Sequence, residues 1–336
     1  MTDKTVTQQD IAASASRSQW WDVWAQFRTH RGAMIGAFVF LVIVFGILLG
    51  PWIWSTDATF IDIRAKNARA ISSCFSQDWG MIGRCLADPT SMKAETGLKV
   101  YWAHPLGTDQ LGRDNLARVI KGGQVSLAVG VTAMLLALFV GTLVGVSAGF
   151  FKKLDGLLMR TTDLFLALPL LPLLLVMFML FRDTLNSNFG PEMGAFILMV
   201  TAIGITSWMP TARIVRGDVL AIKEREFVLA ARSIGTTNSK MIMRHVLPNV
   251  MSPIMVSATL GIANAIITES ALSFLGLGFP PDFPTWGRLL FDSTDFLVSY
   301  PERVIYPGLA ISLTVLSVNY IGDGLRDALD PRIRGR

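Results

Sequence analysis

Six long stretches of this chain contain no charged side chain. They cover residues 32–56, 122–151, 164–181, 193–212, 245–268 and 304–322. Each is close to the roughly 17–25 residues that a helix needs to cross the hydrocarbon core of a bilayer. Buried helices of soluble proteins are typically shorter and have amphipathic neighbours. The pattern therefore predicts an all-α membrane protein with six transmembrane helices.

The composition agrees with this prediction. Of the 336 residues, 51% are hydrophobic and 16% are charged, whereas soluble domains carry about 25% charged residues. The stretch before the first span contains a cluster of aromatic and basic side chains, Trp20, Trp21, Trp24, Phe27, Arg28 and Arg31. Such a cluster is typical of an amphipathic helix lying at the membrane interface. We expect no cleaved signal peptide ahead of it.

Basic residues predict the orientation, because short cytoplasmic loops carry an excess of Lys and Arg. The segment between the fourth and fifth spans is the richest, with Arg213, Arg216, Lys223, Arg225, Arg232, Lys240 and Arg244. Placing this segment in the cytoplasm puts both termini there too. The predicted organisation is a cytoplasmic tail with an interfacial helix (1–32), a first span (33–56), an extracytoplasmic segment (57–121), a five-helix core (122–322) containing a cytoplasmic loop (213–247), and a cytoplasmic tail (323–336).

The two cysteines, Cys74 and Cys85, both lie in the predicted extracytoplasmic segment. Thiols outside the cytoplasm can oxidise. The sequence therefore favours a disulfide that closes a small loop, with two free thiols as the alternative. A metal site is not expected, because the three histidines, His30, His104 and His245, lie far apart in the sequence.

The cytoplasmic loop begins with the pattern of a short helix. Phe227, Ala230, Ala231 and Ile234 recur at spacings of three and four residues, which predicts one apolar face. Gly235 follows where the helix would end, because glycine adopts the left-handed cap conformation at little cost. Two alanines on an exposed face would let a partner approach closely, and a helix laid into a partner's groove is a common docking mode.

A second short helix is predicted after this turn. Thr237 or Asn238 can cap it, and it would run through 241–246 towards Pro248, which marks the entry to the fifth span. The loop should therefore be two short helices at an angle.

This loop resembles the cytoplasmic loop of permease subunits of ATP-binding-cassette (ABC) importers. The pattern of that family is Glu-Ala-Ala, three residues, Gly, nine residues, Ile, one residue and Leu-Pro. The matching residues, at the right spacing, are Ala230, Ala231, Gly235, Leu247 and Pro248.

Two positions of the loop depart from the family pattern. Leu229 stands where the family has glutamate, and His245 stands where it has isoleucine. Glu226, one helical turn earlier, is a candidate to replace the missing acid. The run of two alanines followed by Arg232, with the later Arg-His-Val-Leu-Pro-Asn, is similar to the dipeptide, oligopeptide and nickel branch of these permeases.

Four further runs resemble the same branch in the same order, at residues 28–36, 104–114, 155–163 and 269–287. The resemblance extends from about residue 25 to the end of the chain. It is to the second, C-type permease subunit of such systems, with residues 55–103 as a variable insert.

The resemblance implies the type I ABC importer permease fold in a bacterial inner (cytoplasmic) membrane. Two permease subunits would form the transport path, and two ATPase subunits would bind ATP and Mg and receive the cytoplasmic loops. A periplasmic binding protein would deliver the substrate, with peptides as the default class. This chain would bind no cofactor or nucleic acid and would not be an enzyme. Its sequence has no Gly-x4-Gly-Lys-Ser/Thr phosphate-binding loop.

An ion-coupled secondary transporter is the alternative that the residues leave open. Such proteins often carry charges within their spans and show internal repeats. We find no convincing repeat, and the intramembrane acids are few: Glu269 in the fifth span and Asp163 at the start of the third.

Three polar residues of the fifth span, Asn264, Thr268 and Glu269, are candidates to border the transport path. Polar groups within a span usually face the bundle interior or a wet cavity. For Glu269, pairing with a neighbouring helix is an equal alternative. Glycines recur every four residues in the second span, at Gly141, Gly145 and Gly149 in the printed sequence, and this spacing favours close helix packing.

Overall fold

The computed structural model describes residues 19–76, 85 and 99–329. Within these residues the chain forms twelve α-helices, joined by short 3-10 turns and irregular segments. They are α1 Gln19–Thr29, α2 Arg31–Ile53, α3 Asn115–Phe150, α4 Lys152–Ala167, α5 Leu170–Phe189, α6 Pro191–Thr206, α7 Trp208–Ile222, α8 Glu226–Ser233, α9 Asn238–Met241, α10 Met251–Phe274, α11 Trp286–Ser293 and α12 Glu302–Leu329.

Six of the described segments are long and apolar enough to cross a membrane. They are α2, α3, α5, the continuous pair α6 and α7, α10 and α12. This confirms the predicted all-α membrane fold with six spans.

The third span differs from the stretch that the sequence predicted. The apolar run 164–181 is divided, because α4 ends at Ala167 and α5 begins at Leu170. Pro169 causes the division, since proline lacks a backbone N–H and pushes the preceding residue away from helical angles. Leu168 accordingly has ψ 136°.

The second span begins at Asn115, several residues before the predicted boundary at 122. The Asp114 side chain caps this helix by accepting hydrogen bonds from the backbone N–H groups of Leu116 and Ala117, at 2.7 and 3.2 Å. A carboxylate is a strong N-cap and also favours the positive end of the helix dipole.

Helix α3 is the centre of the bundle and packs closely along α7. A methyl group placed on Gly145 would lie 2.7 Å from the Ala212 carbonyl oxygen, and one on Gly141 would lie 2.7 Å from the carbonyl oxygen of Trp208. The glycines therefore provide the close helix packing that their spacing predicted, since only a missing side chain permits this approach.

At one end of the bundle lies the cap, which we define as the described residues 54–76, 85 and 99–114. Cys74 and Cys85 form a disulfide there, with their Cα atoms 5.8 Å apart. Asp62 N–H donates to the Gly112 carbonyl oxygen, and Arg69 N–H donates to that of Lys99. These bonds fold the two halves of the cap together.

Buried ion pairs attach the cap to the bundle. Asp109 Oδ2 accepts from Arg113 Nε at 2.7 Å and from Arg118 Nη1 at 2.8 Å, and Arg118 Nη2 reaches Asp292 of α11 at 3.1 Å. Burial alone would raise the pKa of Asp109, but the charge of Arg118 and the bonds from Arg113 outweigh it, so this pKa lies below its ordinary value. The cap and the ends of α3 and α11 thus form one unit.

Candidate docking loop and transport cavity

The opposite end of the bundle carries the 223–250 loop, which joins α7 to α10. The predicted loop began at residue 213, but residues 213–222 belong to α7, which continues the fourth span as far as Ile222. Helix α8 follows, and Gly235 then adopts φ 83°, as its predicted role as a helix cap requires. Asn238–Met241 forms the first turn after it.

A small apolar core holds this loop against the bundle. Val228, Ala231 and Met241 are buried together and pack on Phe150 at the end of α3 and Ile222 at the end of α7. The loop therefore rests on the ends of two spans, so that a movement of the loop and a movement of α7 are mechanically linked.

The exposed face of α8 differs from the predicted one. Both alanines were expected on it, but Ala231 is buried, and only Ala230 is exposed. Phe227 is 45% exposed and Ile234 is 84% exposed. The predicted pattern was wrong in this respect, because Val228 turns inward together with Ala231, three residues further along the helix.

The predicted second helix is also not a single α-helix. Met241 is followed by a π-helical turn, Ile242–Val246, and then by a 3-10 turn, Leu247–Asn249. Pro248 explains the change, because it cannot donate a hydrogen bond to the preceding turn and its ring crowds the carbonyl four residues earlier. Single π-helical turns are rare and occur frequently at functional sites.

The remaining predicted residues of the loop lie at its surface. Glu226 and Arg232 are exposed, as is Pro248, while His245 and Leu247 are half-buried. The rings of His245 and Phe227 are 6.5 Å apart, a distance that brings the second part of the loop next to α8. All of the predicted docking positions therefore lie close together within the 223–250 loop.

Asn264 and Thr268 line a cavity of about 520 Å³ in the membrane-spanning part of the bundle. Its walls come from α10, from the α6–α7 junction and from the junction of α4 and α5, where Phe165, Leu166 and Leu168 contribute. Asn264 is exposed within this chain although it lies in the middle of a span. An exposed amide at that depth needs a wet cavity or a partner subunit, because lipid offers it no hydrogen bond.

Glu269 does not share the cavity with these two residues. Its side chain is completely buried and accepts a hydrogen bond from Ser273 Oγ at 2.7 Å. Ser126 of α3 and Thr285, which precedes α11, also bond to this carboxyl group. The expectation that it borders the path is corrected: Glu269 joins three elements inside the chain, which is the alternative that the sequence left open.

Sequence reasoning missed two ion pairs between α4 and α7. Arg216 donates to Asp155 from Nε at 2.5 Å and from Nη2 at 2.7 Å, and Arg213 Nη2 donates to Asp163 Oδ1 at 2.5 Å. The hydrogen bonds from Arg216 lower the pKa of Asp155 below its ordinary value. The spacing of the four charged residues gave no signal of the pairing, because α4 and α7 lie some fifty residues apart in the chain.

In the part of the chain that the structure describes, no group of three or more His, Cys, Asp or Glu residues is placed to hold a metal ion. A six-span bundle with a folded cap at one end, an exposed loop at the other and a largely apolar cavity with several polar side chains between them is the architecture expected of a multi-pass membrane transport protein.

Comparison with known proteins identifies the family. Residues 121–335 match the family described as binding-protein-dependent transport system inner membrane component. Residues 18–70 match the N-terminal TM domain of oligopeptide transport permease C. The chain therefore belongs to the binding-protein-dependent family and is a permease subunit of an ABC importer. The subunits of this family are transport components of bacterial inner membranes and lack an ATPase site.

Two relatives illustrate the extent of the similarity. The oligopeptide transport system permease protein OppC of Bacillus subtilis is 34% identical over 321 residues, which is 95% of this chain and 92% of the relative. The dipeptide transport system permease protein DppC of Alkalihalophilus pseudofirmus is 39% identical over 232 residues, 69% of this chain and 73% of the relative. These relatives support the C-type permease resemblance and give no support to an ion-coupled carrier.

Proposed function

We propose that this chain pairs with one other permease subunit to form the path of an importer for peptides or similar small solutes. Relatives named for oligopeptide and dipeptide transport support this substrate class. A periplasmic binding protein delivers the solute, and two separate ATPase subunits bind ATP and Mg and supply the energy. The family description, with its reference to a binding protein, supports an assembly of this kind.

The observation that carries the proposal is an apolar stripe that runs along α8 to its C-cap residue, Ile234. We call Phe227, Ala230 and Ile234 the docking stripe; their spacing of three and four residues places them on one side of the helix. All three are exposed to solvent in this chain. Two large apolar side chains on a short loop helix are suited to burial in a partner's groove, where each contributes about 1.5–3 kcal/mol.

The orientation follows from this role. An ATPase subunit is cytoplasmic, so the 223–250 loop and both termini are cytoplasmic, and the cap is on the opposite, periplasmic side. Seven Lys and Arg residues between positions 213 and 244 support the same orientation by the excess of basic residues on the cytoplasmic side. The disulfide in the cap fits an oxidising compartment.

Substitution of the docking stripe tests the proposal. We expect wild-type chain, expressed with its partner permease and candidate ATPases and extracted in mild detergent, to retain both ATPase chains. Ile234→Asp should lower the recovered ATPase at least about tenfold, because it places a charge where about 1.4 kcal/mol or more of apolar contact is lost. The measurement is the amount of each subunit that co-purifies with the tagged chain.

The matched control is Val298→Asp, since Val298 is 96% exposed at the opposite end of the bundle. This variant should retain the ATPases in wild-type amounts. Equal retention by Ile234→Asp and the control would contradict the assignment of the docking stripe, and a wild-type chain that purifies alone would contradict the assembly as a whole.

A further inference from the structure

Helix α4 lies on the surface of the bundle with little buried area of its own. Thr162 is the single buried residue among positions 152–167, all of which the structure describes. Few apolar contacts therefore fix the position of this helix. Specific contacts with its neighbours must determine where it lies.

Three contacts join α4 to α7 at successive levels. Arg216 pairs bidentately with Asp155, Arg213 pairs with Asp163, and the ring of Phe165 meets Trp208 edge to face with centroids 6.3 Å apart. The order of the partners along α4 is the reverse of their order along α7, so the two helices run in opposite directions. A planar arginine that makes two bonds to one carboxylate fixes orientation as well as distance.

The two ends of α7 connect different parts of the molecule. Its last residue, Ile222, packs under Val228 of the 223–250 loop, and Lys223 Nζ donates to the Gly149 carbonyl oxygen at 3.0 Å. Its first turns line the cavity that contains Asn264. Helix α7 thus runs from the docking loop directly to the cavity.

Helix α4 leads to the opposite wall of the same cavity. Phe165 and Leu166 near its end, and Leu168 and Leu170 just beyond it, line this wall. A rigid attachment of α4 to α7 therefore ties the position of that wall to the position of α7.

We propose that Asp155, Asp163, Arg213 and Arg216 are positioning residues, which we call the α4–α7 clamp, and that the clamp makes the α4–α5 wall of the cavity move together with α7 when the loop is displaced by an ATPase. This inference rests on the proposed docking of the 223–250 loop. The Arg213–Asp163 pair is exposed and the Arg216–Asp155 pair is half-buried. Ion pairs in contact with water contribute little to overall stability, so the proposed role of the clamp is to fix the position of α4 on α7. Breaking the clamp leaves the chain folded, but the α4–α5 wall of the cavity then no longer moves together with α7.

Spin-label distances in the assembled importer test the clamp. One pair places labels at Leu157→Cys on α4, which is 68% exposed, and at Val298→Cys at the opposite end. A second pair replaces the α4 label by Ala221→Cys at the end of α7, which is also exposed. The two native cysteines are bonded to each other and do not react with the label. Both distances are measured without nucleotide and in the ATP-trapped state.

In the chain with an intact clamp, we expect ATP to shift both distances. In the double variant Asp155→Asn with Asp163→Asn, the α7 distance should still shift, whereas the shift of the α4 distance should be lost. The single variant Arg216→Asp should reduce the α4 shift, and adding Asp155→Arg, which restores this pair with reversed charge, should recover it. Arg160→Gln is the control, because Arg160 lies on α4 and forms no ion pair with any described residue.

The outcomes separate this inference from the proposed function. An α4 shift that persists in the double variant, or one that the charge exchange fails to recover, overturns the clamp while leaving the docking intact. An α7 distance that does not respond to ATP in the wild-type chain overturns both. If the double variant does not assemble, Arg216→Asp takes its place: the clamp requires a reduced α4 shift in this single variant and recovery on adding Asp155→Arg, and an α4 shift unchanged by Arg216→Asp overturns the clamp.

Discussion

His104 is an example of a residue whose role emerges only from the fold. Its buried ring lies between two carboxyl groups: Nδ1 is 3.0 Å from Asp114 Oδ2, and Nε2 is 3.8 Å from Asp62 Oδ2. Trp54 Nε1 donates to the same Asp114 oxygen at 3.0 Å. The hydrogen bond to Asp114 raises the pKa of His104, and the charges of both carboxylates add to this effect against the opposing effect of burial.

The raised pKa predicts the pH dependence of stability. A histidine bound more tightly in its charged form stabilises the fold fully below its unfolded pKa of about 6.5, and this contribution is lost as the pH rises through the higher folded value. His104→Gln should therefore lower the free energy of unfolding by about 1.5–3 kcal/mol near pH 6 and by less near pH 9. Thermal unfolding of the detergent-solubilised protein at the two values measures this difference.

Asp295→Asn is a suitable control for the histidine, since Asp295 is an exposed carboxyl at the same end of the molecule. It should change stability little at either pH. A stability loss in His104→Gln that is equal at both pH values would show that the ring acts by shape alone and not through its charge.

Helices α3 and α7 pack closely along much of their length, and this contact should be sensitive to added volume. A methyl group on Gly145 would meet both the Ala212 carbonyl oxygen and the Val215 side chain within 3 Å. Gly145→Ala should therefore cost about 1–3 kcal/mol, the usual penalty for overpacking. The measurement is the thermal stability and folded yield of the purified chain.

Gly46→Ala is the matched control for this contact. Gly46 also lies inside a spanning helix, α2, but nothing lies within 4 Å of the methyl group it would gain. Alanine also favours a helix over glycine by about 1 kcal/mol, so this variant should be neutral or slightly stabilised. Equal losses in the two variants would refute the close packing of α3 on α7.

The sequence predicted the helices better than it predicted their faces. Charge-free windows identify spans because lipid excludes charge over a fixed thickness, and that signal is local. The choice between Phe227 and Val228 as the inward residue of α8 is not local, since both are apolar and lie next to each other. It depends on Phe150 and Ile222, which end two other helices and form the surface on which α8 lies.

The same reasoning explains why the carboxyl groups were harder to assign than the loop motif. Asp155 and Glu269 belong to runs that the family resemblance identified, but their partners lie on distant elements. Arg216 and Ser126 reach them only after the bundle has formed. A pattern that holds over a few residues, such as Ala230 to Gly235, can be recognised without the fold, whereas a contact between helices cannot.

In the whole molecule, the polar residues of α10 have two kinds of surroundings. Some are buried and connect α10 to other elements, whereas others line the cavity. Glu269 and Ser273 are buried and connect α10 to α3 and to the segment before α11. Asn264 and Thr268, from the same helix, line the cavity instead. Neighbouring positions of α10 therefore carry the two roles on two sides of the helix, one holding the bundle together and one available to solute or to the partner subunit.

This division predicts opposite effects for two substitutions in α10. Glu269→Ala leaves the hydroxyl of Ser273 and its neighbours without their acceptor, at a cost of about 1–3 kcal/mol for each buried group, and should reduce the yield of folded chain. Asn264→Leu removes an exposed amide whose side chain bonds to none of the side chains that the structure describes, so the yield should stay normal while solute uptake by the assembled importer falls about tenfold. Ile267→Leu, an apolar change in the same cavity, should preserve both the yield and the uptake.

Yield and uptake are measured separately, so each substitution has its own contradicting outcome. Normal uptake per folded molecule in Asn264→Leu would remove this face of α10 from the transport path. Normal yield in Glu269→Ala would show that Glu269 does not hold the bundle together.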